Sequence, residues 1–163
     1  MKWLRYWWPA LIWAVVISGF STGAFTSDNS SHYIIPILRF LLPHAPLETL
    51  YFLHHIIRKC AHLAEYFILS MLILRGIRAG EKGLHLRWVL VTILIIAGYA
   101  ALDEYHQSFV PGRTAAVGDV LIDTSGGIAA QIVASLFVLL GKVREKRLQD
   151  ESNAATTIPT DTA

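Results

Sequence analysis

Two sets of residues in this chain have types and spacing suited to chemistry, and the first lies near its middle. Arg58, His62 and Glu65 are separated by four and then three positions, so they share one face of a helix. Histidine and glutamate can bind a metal ion or transfer protons, and arginine can contact an anionic group. A His–Glu pair of this kind also occurs as a plain hydrogen bond between packed helices, so the spacing alone leaves both interpretations open.

The second set is acidic and lies in the last third of the chain. Asp103 and Gln107 are four residues apart, as are Asp119 and Asp123, so each pair shares a helix face. His106 follows Asp103 by three positions and joins its face if the helix continues through both. Carboxylate and imidazole groups suit Zn²⁺, Mn²⁺ or Mg²⁺. Asp119 alone could instead be a helix N-terminal residue that the helix dipole favours.

The composition indicates that a membrane must position these residues. Of 163 residues, 54% are apolar and 16% are charged, whereas soluble domains average about a quarter charged. A net charge of +2 without an aromatic-interleaved basic patch argues against nucleic-acid binding. Cys60 is the only cysteine, which excludes an internal disulfide and a cysteine-based zinc cluster.

Long apolar segments predict an all-α integral membrane protein, a bundle of four transmembrane helices. A span needs about 20 apolar residues, and the period-2 alternation of a membrane β-barrel is absent. The first segment also has signal-peptide features, but its length and tryptophan-rich start favour an uncleaved span. The predicted spans are about 7–25, 61–77, 88–106 and 117–140.

The segment between the first two spans is predicted to be interfacial or re-entrant. Tyr33–Leu42 is strongly apolar but too short to cross a bilayer, and Pro43 closes it. A further helix should begin near Pro46 or Leu47. Apolar residues recur along it at helical spacing, so this helix can continue into the second span.

Basic residues predict the orientation in a bacterial plasma membrane, because they concentrate on the cytoplasmic side. With the N-terminus inside, most of the fourteen Lys and Arg residues are cytoplasmic. These are Lys2, Arg5, Arg75, Arg78, Lys82, Arg87, Lys142, Arg144, Lys146 and Arg147. Both termini are therefore expected in the cytoplasm, with a membrane domain over 1–141. The tail 142–163 is expected to be basic and then disordered from Asp150.

The positions of the two sets of residues along their spans place them at a similar depth in the membrane. A rise of about 1.5 Å per residue places Asp103 roughly 23 Å from the cytoplasmic end of its span. Glu65 lies near ~18 Å and Asp123 near ~26 Å in a core about 30 Å thick. An ionisable group facing lipid costs at least ~2.5–3.5 kcal/mol, so these side chains should face inward. We therefore expect a polar cavity in the outer half of the membrane.

Two motifs of this chain resemble those of the VanZ-like family. The first is the run DEYHQSFVPGR at 103–113, followed by Asp119 and the glycines at 126–127, and the second is RKCAHLAEY at 58–66. The resemblance covers about residues 1–141. It implies a small bacterial membrane protein, in a family named for an accessory protein that lowers susceptibility to teicoplanin. By matching position, the motif residues are Lys59, His62, Glu65, Tyr66, Asp103, Glu104, Gln107, Arg113 and Asp119.

The first functional hypothesis is binding or modification of an anionic, lipid-linked or cell-wall-related ligand at the outer leaflet. Arg58, Lys59 and Arg113 would contact its head group, and Arg113 would be directed by the Pro111-Gly112 turn. Candidate partners are membrane lipids, a lipid-linked cell-wall precursor or a lipoglycopeptide drug. The predicted ligand-binding residues are Arg58, Lys59, His62, Tyr66, Gln107, Arg113, Asp119 and Asp123.

Two alternatives stay open. One is a metal-dependent hydrolase or transferase acting on a lipid phosphate, although no known catalytic signature is present. Its catalytic candidates are Glu65, Asp103 and Glu104, and its metal-ligand candidates are His62, Glu65, Asp103, His106 and Asp119. The other is a purely architectural bundle in which the charges pair among themselves. The sequence does not name a cofactor.

Overall fold

The computed structural model describes residues 2–22, 27–110 and 116–156, and this part of the chain is helical without strands. It contains α1 (Lys2–Phe20), α2 (Ser27–Leu41), α3 (Leu47–Arg78), α4 (Leu86–Gln107) and α5 (Val117–Thr156). The expectation of an all-α protein is confirmed.

Three of the described helices, not the predicted four, are long and apolar enough to cross a membrane. These are α3, α4 and α5. The predicted first span, 7–25, overlaps α1 over residues 7–20, and its residues 23–25 lie outside the described part of the chain. Helix α1 falls short of this criterion. Arg5, Pro9 and several tryptophans reduce its apolar character over a helix of only 19 residues.

The connection between α1 and α3 contains a helix of its own. All of the predicted segment Tyr33–Leu42 except Leu42 belongs to α2, which packs against α3 and carries Pro36 in its interior. Arg39 Nη1 donates a hydrogen bond of 2.8 Å to the carbonyl of Ala45, which closes the turn between the two helices. The expected continuation of the next helix into a span is confirmed, because α3 is one unbroken helix of 32 residues.

Helix α3 lies at the centre of the bundle and contacts α1, α2, α4 and α5. Tyr66, Leu69 and Ile73 of α3 pack with residues of α1 and α4 in the main buried core. Gly126 of α5 lies so close to the carbonyl oxygen of Leu63 that a Cβ atom there would clash. A Cβ at Gly127 would lie 2.6 Å from Cγ2 of Ile96. These two glycines therefore let α5 approach its neighbours closely.

The last helix is longer than the predicted span. Helix α5 continues through Thr156 and therefore includes residues 150–156 of the tail for which disorder was expected. Its basic residues, Lys142, Arg144, Lys146 and Arg147, are exposed on this extension.

Candidate functional site

Two contacts between a basic and an acidic side chain join α3 to α5, which run in the same direction. Lys59 Nζ lies 3.3 Å from Asp119 Oδ1, and these side chains are 36% and 46% exposed. One turn further along both helices, His62 Nδ1 lies 3.6 Å from Asp123 Oδ1, and these side chains are 28% and 4% exposed. The polar surface between α3 and α5 therefore leads from an exposed pair to a largely buried one.

A second polar group joins α1 to α4 at the same end of the bundle. Ser21 Oγ donates a hydrogen bond of 2.8 Å to Asp103 Oδ2, and Gln107 Nε2 donates another of 2.8 Å to the same oxygen. Gln107 Nε2 also lies 3.3 Å from Ser21 Oγ. All three residues are buried, so Asp103 is held by two donors in the interior.

Glu104 connects α4 to the beginning of α5. Its Oε1 accepts a hydrogen bond of 2.5 Å from the backbone N–H of Ala116, the residue before α5 begins. The side chain is buried although it is acidic. Glu104 therefore holds the backbone immediately before the first turn of α5, and that turn carries Asp119.

These acidic side chains form one carboxylate cluster. The Asp123 carboxylate lies within electrostatic range of four other carboxylates. The cluster consists of Glu65, Asp103, Glu104, Asp119 and Asp123. The cluster thus contains acids from three helices, α3, α4 and α5.

Tyr66 contributes a buried hydroxyl beside this cluster. Its ring is fully buried, lies 6.0 Å from the ring of Tyr99 between centroids, and is within electrostatic range of Asp103 and Asp123. Within the described residues, neither the Tyr66 hydroxyl nor Asp123 Oδ1 has a hydrogen-bond partner, although both atoms are buried. Both atoms are therefore available to a further hydrogen-bonding group.

Two of the predicted site residues that the structure describes, Arg58 and His106, are directed away from the cluster. Arg58 directs its Nη1 to Ser30 Oγ of α2 at 3.1 Å. His106 is exposed although the helix continues through it. Arg113 lies outside the described residues. The expectation of an anionic ligand depended mainly on bases, and Lys59 is already paired with Asp119.

The metal hypothesis has no ligand set in the part of the chain that the structure describes. No three His, Cys, Asp or Glu side chains there are arranged to hold one ion. The candidates His62, Glu65, Asp103, His106 and Asp119 are therefore not brought together as a metal centre within those residues.

Sequence reasoning missed Ser21 and His54 as members of the polar network. His54 is buried, and its Nε2 lies 3.0 Å from Ser30 Oγ. A single serine after an apolar segment carries no local signal for a partner 82 positions away. The buried position of His54 follows from the packing of α2 on α3, which helical spacing did not predict.

Comparison with known proteins places this arrangement in a family. Neither the curated proteins nor the solved structures include a match to the chain. A family model described as VanZ/LLP1 matches residues 6–138, a range that includes α2, α3 and α4 and both motifs. The chain therefore belongs to the VanZ/LLP1 family, and it is a membrane protein with several apolar helices.

Proposed function

We propose that this protein is a bacterial cell-envelope protein that binds a lipid-linked or cell-wall-related ligand at its carboxylate cluster. The cluster would face the outer leaflet of the plasma membrane. Binding of such a ligand would provide a route to lowered glycopeptide susceptibility, for which the VanZ-like family is named.

The proposal includes a fourth crossing of the membrane by α1. Trp13 Nε1 donates a hydrogen bond of 2.9 Å to the carbonyl of Glu65, and the Trp7 ring packs on Gly76. Since Ser21 also reaches Asp103, α1 follows the bundle from one end to the other. Its outward residues include Leu11 and Val15, which suit contact with lipid. Because of these contacts with the other helices, we assign α1 as a membrane-crossing helix despite its modest hydropathy.

We place α2 in the membrane–water interface. Its exposed surface includes Tyr33, Ile37 and Phe40, of which Phe40 is 85% exposed. An apolar face of this kind on a helix too short to span suits the boundary between head groups and acyl chains. The interfacial position would keep α2 above the cluster, where Ser30 contacts Arg58.

The orientation follows from the distribution of basic residues. Arg75, Arg78 and Lys82 lie at or beyond the end of α3, opposite the carboxylate cluster, and the basic part of α5 follows that end as well. Because basic segments stay in the cytoplasm, the cluster would face outward and both termini would be cytoplasmic.

The observation that carries the proposal is the convergence of Asp103, Glu104 and Asp123, all buried, from two membrane-spanning helices. Ionisable groups within a membrane are costly and usually mark a binding or transport site. A purely architectural bundle would pair these carboxylates closely with bases, but the base that faces Asp123 Oδ1, His62 Nδ1, lies 3.6 Å away, beyond hydrogen-bonding distance. We prefer binding to metal-dependent hydrolysis, since no metal-ligand set is present in those residues.

The test compares charge-neutral variants with the wild-type protein in a bacterial host that lacks it. Asp103→Asn and Asp123→Asn keep the shape of the side chains and remove the charges. We expect both to be expressed in the membrane, to lose co-purifying lipid in native mass spectrometry, and to lose any change in teicoplanin susceptibility that the wild-type protein confers.

Glu145→Gln provides the matched control, because Glu145 is exposed on the extension of α5 away from the cluster. It should behave like the wild-type protein in both measurements. If folded Asp103→Asn and Asp123→Asn proteins retain the same bound lipid and the same susceptibility as wild type, the binding proposal is wrong and the architectural interpretation replaces it.

A further inference from the structure

The charges around Asp123 are predominantly negative. Four other carboxylates lie within electrostatic range of it, and two bases, Lys59 and His62, contact members of the cluster. The segment 111–115, which the structure does not describe, contains one base, Arg113. Even if these three bases and Arg58 are all counted as charged, the five carboxylates outnumber them. A ligand that brings positive charge would therefore improve the balance, and an anionic ligand would worsen it.

Two buried atoms indicate where such a ligand would bind. Asp123 Oδ1 can only accept a hydrogen bond when its carboxylate is ionised, and the Tyr66 hydroxyl can accept one as well. Both atoms are buried without a hydrogen-bond partner among the described residues, since His62 Nδ1, which faces Asp123 Oδ1, lies 3.6 Å from it. The Asp123 and Tyr66 side chains are within electrostatic range of each other. A hydrogen-bond donor placed between them would satisfy both atoms.

An organic ammonium fits this chemistry better than a metal ion. No three His, Cys, Asp or Glu side chains of the described residues are arranged to hold a metal. An ammonium carries three N–H donors and can use a mixed set of carboxylate and hydroxyl acceptors. The chain already shows this contact one turn away, where the Lys59 ammonium lies 3.3 Å from Asp119 Oδ1.

The exposure of the side chains decreases along the polar surface that leads to these atoms. Asp119 and Lys59 are partly exposed, His62 is less so, and Asp123 is nearly buried, so the polar surface leads inward between α3 and α5. A head group entering from the level of Asp119 would meet acidic side chains first and reach Asp123 and Tyr66 at the inner end. Its acyl chains could stay on the apolar outer surface of the helices.

We propose that the carboxylate cluster recognises an organic ammonium group, which is bound at Asp123 and Tyr66, and that this group belongs to an amine-bearing lipid head group or to a free amine. This inference rests on the proposed function and specifies the chemistry of its ligand.

The experiment measures binding to the full-length protein in detergent micelles by native mass spectrometry. The probes are phosphatidylethanolamine, its N-acetylated form, phosphatidylglycerol and free ethanolamine. The N-acetylated lipid has the same chains and phosphate but lacks the ammonium. We expect phosphatidylethanolamine to bind about tenfold more tightly than the N-acetylated lipid, as for the loss of one charge-assisted hydrogen bond.

Two variants locate the contact. Asp123→Asn should remove the preference for phosphatidylethanolamine, and Tyr66→Phe should weaken it several-fold, since each removes an acceptor. The matched controls are Asp150→Asn, at an exposed residue on the far part of α5, and Tyr51→Phe, at an exposed residue of α3. Both should retain the wild-type preference. If Asp123→Asn does not fold, Tyr66→Phe still tests the contact.

Competition by free ethanolamine distinguishes the two sources of the amine. If ethanolamine displaces the lipid, the site takes free amines; if it does not, the ligand is a lipid head group, and either result supports the proposal. Equal binding of the amine and N-acetylated lipids overturns it. If phosphatidylglycerol then binds in a manner sensitive to the cluster variants, ligand binding stands and only the ammonium chemistry fails. If no probe responds to any cluster variant, both proposals fail.

Discussion

Ser21 Oγ donates a hydrogen bond of 2.8 Å to Oδ2 of Asp103, and this contact joins the end of α1 to a buried carboxylate of α4. Ser21→Ala would leave Gln107 as the remaining described donor to that oxygen. We expect a loss of about 1–2 kcal/mol in the free energy of unfolding, the range for a hydrogen bond within a membrane bundle to a charged group. Unfolding of the detergent-solubilised protein measures it.

Ser18→Ala is the control for this change. The Ser18 hydroxyl lies 2.9 Å from the Tyr99 hydroxyl and is exposed, and Tyr99 also donates a hydrogen bond to the carbonyl of Ala14. Its loss should therefore change stability less than the loss of Ser21. Equal stability of the two variants would contradict the importance that we give to the buried contact with Asp103.

Gly126→Ala should force α3 and α5 apart. The added Cβ would clash with the carbonyl oxygen of Leu63, which belongs to the backbone and cannot move without its helix. Overpacking of this kind costs about 1–3 kcal/mol. We expect lower thermal stability in detergent and a weaker pairing of His62 with Asp123, because the two helices carry these residues.

Gly98→Ala is the matched control in another helix. A Cβ at Gly98 meets nothing within 4 Å, and alanine favours a helix over glycine by about 0.5–1 kcal/mol. This variant should be as stable as the wild-type protein or slightly more stable. A greater loss of stability for Gly98→Ala than for Gly126→Ala would show that the close approach of α5 to Leu63 is not limiting.

The sequence predicts the helices well because apolar length and helical spacing are local properties. The spacing of apolar residues from Leu47 onward was sufficient to predict that one helix continues into a span. The first span was harder to assign, because tryptophan is large and aromatic but contributes little to hydropathy. Arg5 and Pro9 reduce the apolar character of α1 further, so its role depends on contacts such as that of Trp13 with the carbonyl of Glu65.

The positions of the acids along their helices were also predictable, because the rise of a helix is constant. The rotation of each helix was not. His106 is about 300° and Gln107 about 400° around the helix from Asp103, so both lie close to its face on opposite sides. Packing against Ser21 selects Gln107 and leaves His106 exposed. The pairing of His62 with Asp123 likewise depends on which helices become neighbours.

The pair Lys59–Asp119 should contribute little to stability. Both side chains are partly exposed, and pairs of this kind are worth about 0–1 kcal/mol. A double-mutant cycle with Lys59→Gln and Asp119→Asn measures the coupling energy from unfolding in detergent. We expect a value below about 1 kcal/mol that falls further at high salt. A coupling above about 2 kcal/mol, or one that does not depend on salt, would show that the pair is effectively buried.

The topology can be checked with single cysteines. Cys60 is exposed and must first be replaced by serine. In that background, Ser108→Cys should react with a membrane-impermeant maleimide in intact cells, and Lys82→Cys should react only after permeabilisation, because the basic connection is expected in the cytoplasm. Both positions are exposed, so both should react in detergent. Labelling of Lys82→Cys from outside would reverse the proposed orientation.

Glu65→Gln tests whether the carboxylate cluster acts through its charge. Glu65 is partly buried and lies within electrostatic range of Asp123 and Tyr66. The substitution keeps the size of the side chain and removes its charge, so we expect normal membrane expression and unfolding but a loss of ligand binding of about tenfold, measured by native mass spectrometry of bound lipid. Glu48→Gln, at an exposed residue in the first turn of α3, should bind like the wild-type protein. If Glu65→Gln instead loses stability while retaining binding in the fraction that folds, the carboxylate supports the fold and the ligand contacts other residues.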